Sequence, residues 1–260
     1  MENEVGILKK VLHKIDNFLN DDTTYYAASL SFFTIFSILP IIALIIAIIS
    51  NFPQFNEYID VFTIYLFNLI NPTHSTEIIE SLKKYISNSN QLGTIGFIYM
   101  TFVFIMFFKD YEYIVNKIHD AKRKSIHFSF IFYSIYLAIL VLLLTLFNMI
   151  ILFIENSFLK QLLSYSFSWL IFFSLFKLSV NKKIHNKAAV ISSLLTLLVL
   201  AITKDLFIYY VIYNKTYTTI YGSLSTLLFT FFWIYASWIV YLYGIKMCSK
   251  LNDIYNSKLI

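Results

Sequence analysis

Six long apolar runs, nearly free of charge, constrain this chain more than any other feature. They lie at about 26–50, 93–115, 129–154, 163–180, 188–212 and 223–247. A helix needs about 20 apolar residues to cross roughly 30 Å of hydrocarbon, and each run is near that length. In lipid every backbone N–H and C=O must find a partner inside the protein, which leaves helices or closed barrels. The runs are too long for barrel strands. The expected fold is an all-α polytopic membrane bundle of about six transmembrane helices, within a single domain over 1–260.

Composition supports this. The chain is 58% hydrophobic and 13% charged, against about 25% charged in soluble domains. So few charges cannot cover a water-facing surface, which argues against a soluble enzyme. The net charge of +5 does not point to nucleic acid either, because arginine occurs once, at Arg123, and base readers favour arginine. Cys248 is the single cysteine, so no intrachain disulfide is expected. The first twenty residues lack a continuous apolar stretch and a small-residue cleavage site, so the first span is expected to be retained.

Basic residues orient the bundle. With the N-terminus inside, the cytosolic segments hold Lys9, Lys10, Lys14, Lys117, Lys122, Arg123, Lys124, Lys182, Lys183, Lys187, Lys246, Lys250 and Lys258. The outer loops hold Lys83, Lys84, Lys160 and Lys215. Thirteen against four places both termini in the cytosol.

Residues 5–20 carry Ile7, Leu8, Val11, Leu12, Ile15, Phe18 and Leu19 on one stripe, which predicts an amphipathic cytosolic or interfacial helix within 1–24. Asp21, Asp22, Thr23 and Thr24 supply a helix start for the six-span bundle, 25–247. A cytosolic tail is expected over 248–260. The long outer connection, about 51–92, contains two helix-like pieces near 57–70 and 76–86, separated by Asn71-Pro72.

Charges inside the spans are the candidate sites, because an ionisable group near the bilayer centre is costly and usually faces protein or water. Lys204 and Asp205 lie in the fifth span. The lysine can snorkel outward, whereas Asp205 is expected to face the bundle. Lys109, Asp110 and Glu112 lie in the inner half of the second span, where Lys109 and Glu112, three apart, are spaced to pair. The two groups differ in depth by about 13–15 Å at 1.5 Å per residue, too far for one ion pair. Pro40, near the middle of the first span, removes a helical hydrogen bond and is a candidate hinge. Gly93 and Gly96 in the second span, with Gly222 and Gly244 at the ends of the sixth, are expected to permit close helix approach. Tyr209, Tyr210, Tyr213, Tyr217 and Tyr221 fit an interfacial aromatic belt.

The segment YAASLSFFTIFSILP, 26–40, resembles the opening span of the BrkB/YihY family, where small residues and an aromatic pair precede Ser-x-x-Pro. Asn116-Lys117-Ile118 resembles that family's Asn-x-Ile. The last span, YGSLSTLLFTFFWIYASWIVYLYGIK, resembles its Tyr-Gly-Ser-Leu opening, mid-span Trp-Ile-Tyr and closing Leu-x-Gly. Two positions depart from the pattern. Val180-Asn181 stands where the family commonly has Pro-Asn, and Lys246 where it commonly has an acidic residue. The resemblance implies a six-span protein of a bacterial inner membrane, associated with the cell envelope.

The family's older ribonuclease label finds no support in these residues. His13, His74, His119, His127 and His185 are scattered over loops, and no carboxylates show metal-ligand spacing. No phosphate-binding G-x-x-x-x-G-K-[ST] occurs. No cofactor, metal or nucleic-acid partner is therefore expected, and no enzymatic activity. The expected function is transport or envelope assembly acting on a lipid-like or amphipathic substrate, with membrane lipids, envelope proteins or further copies of the chain as partners. The alternative is a non-catalytic scaffold that recruits envelope partners. On this reading Asp205→Asn separates the two, since only a transporter should suffer from it.

Overall fold

The structure is a computed structural model that describes residues 21–50, 80, 93–213 and 224–257. The expected helices within 1–24, near 57–70 and near 76–86 lie outside these residues, as do Tyr217, Tyr221 and Gly222. Six long helices follow in order: α1 (Asp22–Ser50), α2 (Gly93–Ile118), α3 (Ile126–Leu152), α4 (Ser157–Leu178), α5 (Asn186–Tyr213) and α6 (Leu224–Ser257). No strand occurs among the described residues. By length and composition alone α3, α4, α5 and α6 from Leu228 can cross a membrane.

Their exposed surface confirms a polytopic membrane bundle. α3 buries Ser129, Tyr133, Val141 and Leu144, while Ile131, Ile135, Ile139, Leu142 and Ile150 stand exposed. Continuous apolar surface of this kind requires hydrocarbon around it.

Local chemistry sets the helix ends. Asp21 caps α1 as expected, its carboxylate accepting from the Thr23 N–H at 2.9 Å and the Thr23 hydroxyl at 2.6 Å. α2 ends in a tight turn where Asp120 takes φ 49°, and the Ala121 N–H closes on the Asn116 carbonyl at 2.9 Å. α4 starts six residues before the expected 163, because Asn156 caps it by accepting from the Phe158 and Leu159 N–H groups at 2.9 and 3.2 Å.

α6 differs most from expectation. It continues as helix through the expected tail to Ser257. Its extension is held by packing: Cys248 and Asn252 are fully buried, and Tyr255 stacks on His185 at 5.0 Å. Pro40 lies within continuous helix α1, and its side chain is outside the described ones.

The helices alternate in direction. Lys246 of α6 meets Asp21 before α1, Asn181 after α4 meets Glu112 of α2, and the His185 N–H before α5 meets Asn252 of α6 at 2.8 Å. These contacts define one end of the bundle, termed the polar end below. The main core lies toward it, with Leu30, Ile114, Phe176, Leu242 and Ile245 nearly fully buried.

α6 is the central helix, packed on α5 and α1. Ala188, Ala189, Ser192, Ser193 and Thr196 make the buried face of α5, and a Cβ at Gly244 would collide with the Thr196 hydroxyl. The expected close approach at Gly244 is therefore real, and small residues allow it.

Candidate functional site: an aromatic cavity and its polar floor

Between α2, α3, α4, α5 and α6 lies a cavity of about 320 Å³. Phe107, Phe108, Tyr111, Tyr133, Phe172, Trp238 and Tyr241 supply most of its aromatic wall, and Leu137, Leu140, Leu175 and Leu200 fill the gaps. α3 forms one wall of this space. Tyr133, Tyr136, Leu137 and Leu140 line the cavity, while Ile131, Ile135 and Ile139 face outward. The wall is stiffened by ring packing: Phe108 stacks on Tyr133 at 4.8 Å, and Trp238 meets Tyr241 edge-on at 5.5 Å. The Trp238 indole N–H also donates to the Thr34 hydroxyl of α1 at 2.8 Å.

The polar groups of this wall are neutral hydroxyls. Tyr111 and Tyr241 share a hydrogen bond of 2.6 Å, and Tyr111 donates to the Ser179 hydroxyl at 3.1 Å. Tyr136 bonds Ser174 at 2.7 Å, tying α3 to α4. Burial of these phenols is satisfied by their own network.

Below them sits a charged knot. Glu112, 3% exposed, accepts from the Asn181 amide at 2.9 Å and from the Lys124 backbone N–H at 3.1 Å. The Arg123 guanidinium stands 3.6 Å from its other oxygen. Asn116, fully buried, donates to the Glu112 carbonyl at 2.8 Å and the Ser179 carbonyl at 3.3 Å, and accepts from the Asn181 N–H at 2.7 Å. The Asp120 turn makes this possible by folding 122–124 back over α2. Asn116 and Asn181 sit 65 residues apart in sequence, and both occupy positions where the family resemblance is read.

Two further groups mark this end. Burial would raise the Asp21 carboxyl, but hydrogen bonds from Lys246 and Thr23 outweigh it and hold it at about 2. His119 is 1% exposed, and neither ring nitrogen has a hydrogen-bond partner. Burial pushes its imidazole down to about 4, helped by the Lys182 charge and opposed by Asp253 and Asp120.

The candidate residues from the sequence fare differently. Glu112 lies at the site, but its cation is Arg123. The expected Lys109–Glu112 pair is corrected, since Lys109 contributes its carbonyl to Arg123 at 3.4 Å. The i to i+3 spacing was outcompeted by the chain's return through Arg123. Asp110 accepts from the Ser29 hydroxyl at 2.8 Å and joins α2 to α1.

Asp205, expected to face the bundle, is exposed, as is Lys204. Two residues on, Phe207 is buried, and two residues span about 200° of helix, which turns Asp205 to the opposite face. Tyr209, Tyr210 and Tyr213 are exposed near the end of α5, as a belt requires. Among the described residues no three His, Cys, Asp or Glu side chains gather as metal ligands. Sequence reading missed Tyr111, Ser179, Trp238 and Tyr241. Their signal was a hydroxyl or indole N–H inside an apolar run, which must find a partner when buried.

The profile of the family described as Virulence factor BrkB matches residues 15–257. A UPF0761 membrane protein of Actinobacillus pleuropneumoniae serotype 5b (strain L20) is 30% identical over 192 residues, 68% of this chain and 69% of that protein. A UPF0761 membrane protein of Haemophilus influenzae (strain 86-028NP) is 26% identical over 67% of this chain and 70% of its own length. One from Pseudoalteromonas translucida (strain TAC 125) is 28% identical over 67% of this chain and 63% of its own length. The chain thus spans about two thirds of the length of these relatives. No solved structure matches. The match over nearly the whole chain, on an all-helical membrane bundle, makes this protein a member of the Virulence factor BrkB family.

Proposed function

We propose that this is a non-enzymatic inner-membrane protein that transports or assembles a lipid-like, amphipathic substrate for the cell envelope. The observation that carries this reading is the aromatic cavity of about 320 Å³ behind α3, within the 300–1,000 Å³ range of small-molecule sites. Its wall takes a hydrocarbon chain, and the Tyr111–Tyr241–Ser179 hydroxyls give a polar end somewhere to bond. Moving a chain from bilayer to cavity exchanges one apolar surrounding for another, so its apolar part is held by packing with little hydrophobic gain. Weak holding of this kind suits release as well as uptake.

The polar end belongs in the cytosol on this reading. Lys117, Lys122, Arg123, Lys124, Lys182, Lys183, Lys187 and Lys250 sit there, as the positive-inside rule requires. Asp205 is no longer the group to test, since it lies away from the cavity. Leu140→Trp, which fills the cavity from α3, replaces it. Purified protein in liposomes should move labelled phospholipid or another amphipath faster than protein-free vesicles, and Leu140→Trp should reduce that movement at least tenfold. Equal movement with folded Leu140→Trp would remove the cavity from the path. No movement by folded, correctly inserted wild type would favour the scaffold.

A further inference from the structure

The charges on the outward side of α5 are unexplained by the cavity. Neither Lys204 nor Asp205 has an ion-pair or hydrogen-bond partner among the described residues. Asp205 lies about five residues past the middle of α5, roughly 8 Å along its axis, inside a half-bilayer of about 15 Å. A lysine there can snorkel, but an aspartate is too short, and a carboxylate facing hydrocarbon needs a partner.

The surrounding sequence names that partner. Leu194, Leu198, Ala201, Asp205, Ile208 and Ile212 follow one another at alternating steps of four and three, which is the seam of a left-handed helix pair. The seam lies away from α6. Leu194, Leu198 and Ile212 are 45%, 51% and 63% exposed, whereas Thr196 and Phe207, across the helix, are buried. Ala201 and Ile208 are half-buried.

Two copies inserted with the same orientation are related by a two-fold axis along the membrane normal, so their α5 helices run parallel. On such a seam Lys204 immediately precedes Asp205 and flanks it by about 100°. The two-fold then sets each lysine beside the other copy's aspartate at the same depth. We infer that this face of α5 is a self-association surface, at which two copies of the chain pair α5 against α5 and neutralise Lys204 and Asp205 reciprocally. One polar residue in an apolar seam also fixes register, as buried polar seam residues do.

The test is disulfide cross-linking of the full chain in native membranes. Leu198→Cys and Ala201→Cys should each give a covalent dimer under mild oxidation. Leu195→Cys and Leu206→Cys, exposed but off the seam, should give at least tenfold less. The native chain, whose Cys248 is buried, serves as the blank. Asp205→Lys in the Leu198→Cys background should lower the yield at least tenfold, and adding Lys204→Asp should restore it. The inference is overturned if seam cysteines cross-link no better than the flanking ones, or capture a different protein. It is also overturned if the native chain in lipid nanodiscs has the mass of one copy. Should Asp205→Lys fail to insert, the seam cysteines with native charges still decide.

Discussion

Asp21 and Lys246 meet at 2.5 Å, joining the start of α1 to the central helix α6 across 225 residues of sequence. Lys246 supplies the cation on α6 and Asp21 the carboxylate. The pair is part-exposed, and screening limits it to about 1 kcal/mol. Asp21→Asn keeps the helix cap, because asparagine caps as well as aspartate, and removes only the charge. A double-mutant cycle of Asp21→Asn with Lys246→Gln, read by thermal unfolding in detergent, should give a coupling of about 1 kcal/mol. Strict additivity would mean that the pair contributes nothing.

His119 and Asp21 should titrate stability in two separate windows. The folded His119 pKa of about 4 lies below its unfolded value of about 6.5, so the unfolded chain binds more protons between them. The stability this neutral imidazole contributes is present above pH 6.5 and lost as pH falls toward 4, by at most about 3 kcal/mol. Asp21, depressed from 3.8 to about 2, loses its contribution only below about pH 4. His119→Phe should flatten the unfolding temperature between pH 6.5 and 4 and leave the fall at lower pH. An unchanged slope in that variant would assign the acid sensitivity elsewhere.

Glu112 organises the knot, so truncating it leaves one N–H of the Asn181 amide and the Lys124 backbone N–H without their acceptor, while the Asn181 amide keeps the Lys122 carbonyl. Glu112→Ala should cost about 2–3 kcal/mol, and Glu112→Gln, which keeps acceptors for both, about 1 kcal/mol. Chemical unfolding of the purified variants checks the order. If Gln is as damaging as Ala, the charge opposite Arg123 matters more than the hydrogen bonds.

Gly244→Ala should force α5 and α6 apart, because the added methyl collides with the Thr196 hydroxyl. Overpacking of this size costs about 1–3 kcal/mol. Thr196→Ala alone should be mild, and the double variant should recover most of the loss. A double variant no better than Gly244→Ala would show that the backbone of α5 is the obstacle.

Much of the architecture was legible in the chain because its causes are local. Run length and the solvation of backbone groups by lipid required helices, and α2, α3 and α5 end within three residues of the expected spans. The starts of α1 and α4 followed capping by Asp21 and Asn156, although only the first was read in advance. Gly244 as a point of close approach was also legible, since only the smallest residues admit it.

Which polar side chains meet was decided by tertiary structure. Lys109–Glu112 is the nearer pair in sequence, yet the Asp120 turn delivers Arg123 to Glu112 instead. Tyr111, Ser179 and Tyr241 come from three different segments, and nothing in the spacing along any one of them brings their hydroxyls together. Asp205 faces away from the bundle because the buried stripe of α5 is set by contact with α6, and that stripe is mostly Ala, Ser and Thr, so the large apolar residues of α5 do not mark the buried side. The lipid requirement acts on each segment alone and determined the helices. Azimuth and register depend on neighbours, and only packing the six helices together assigned them.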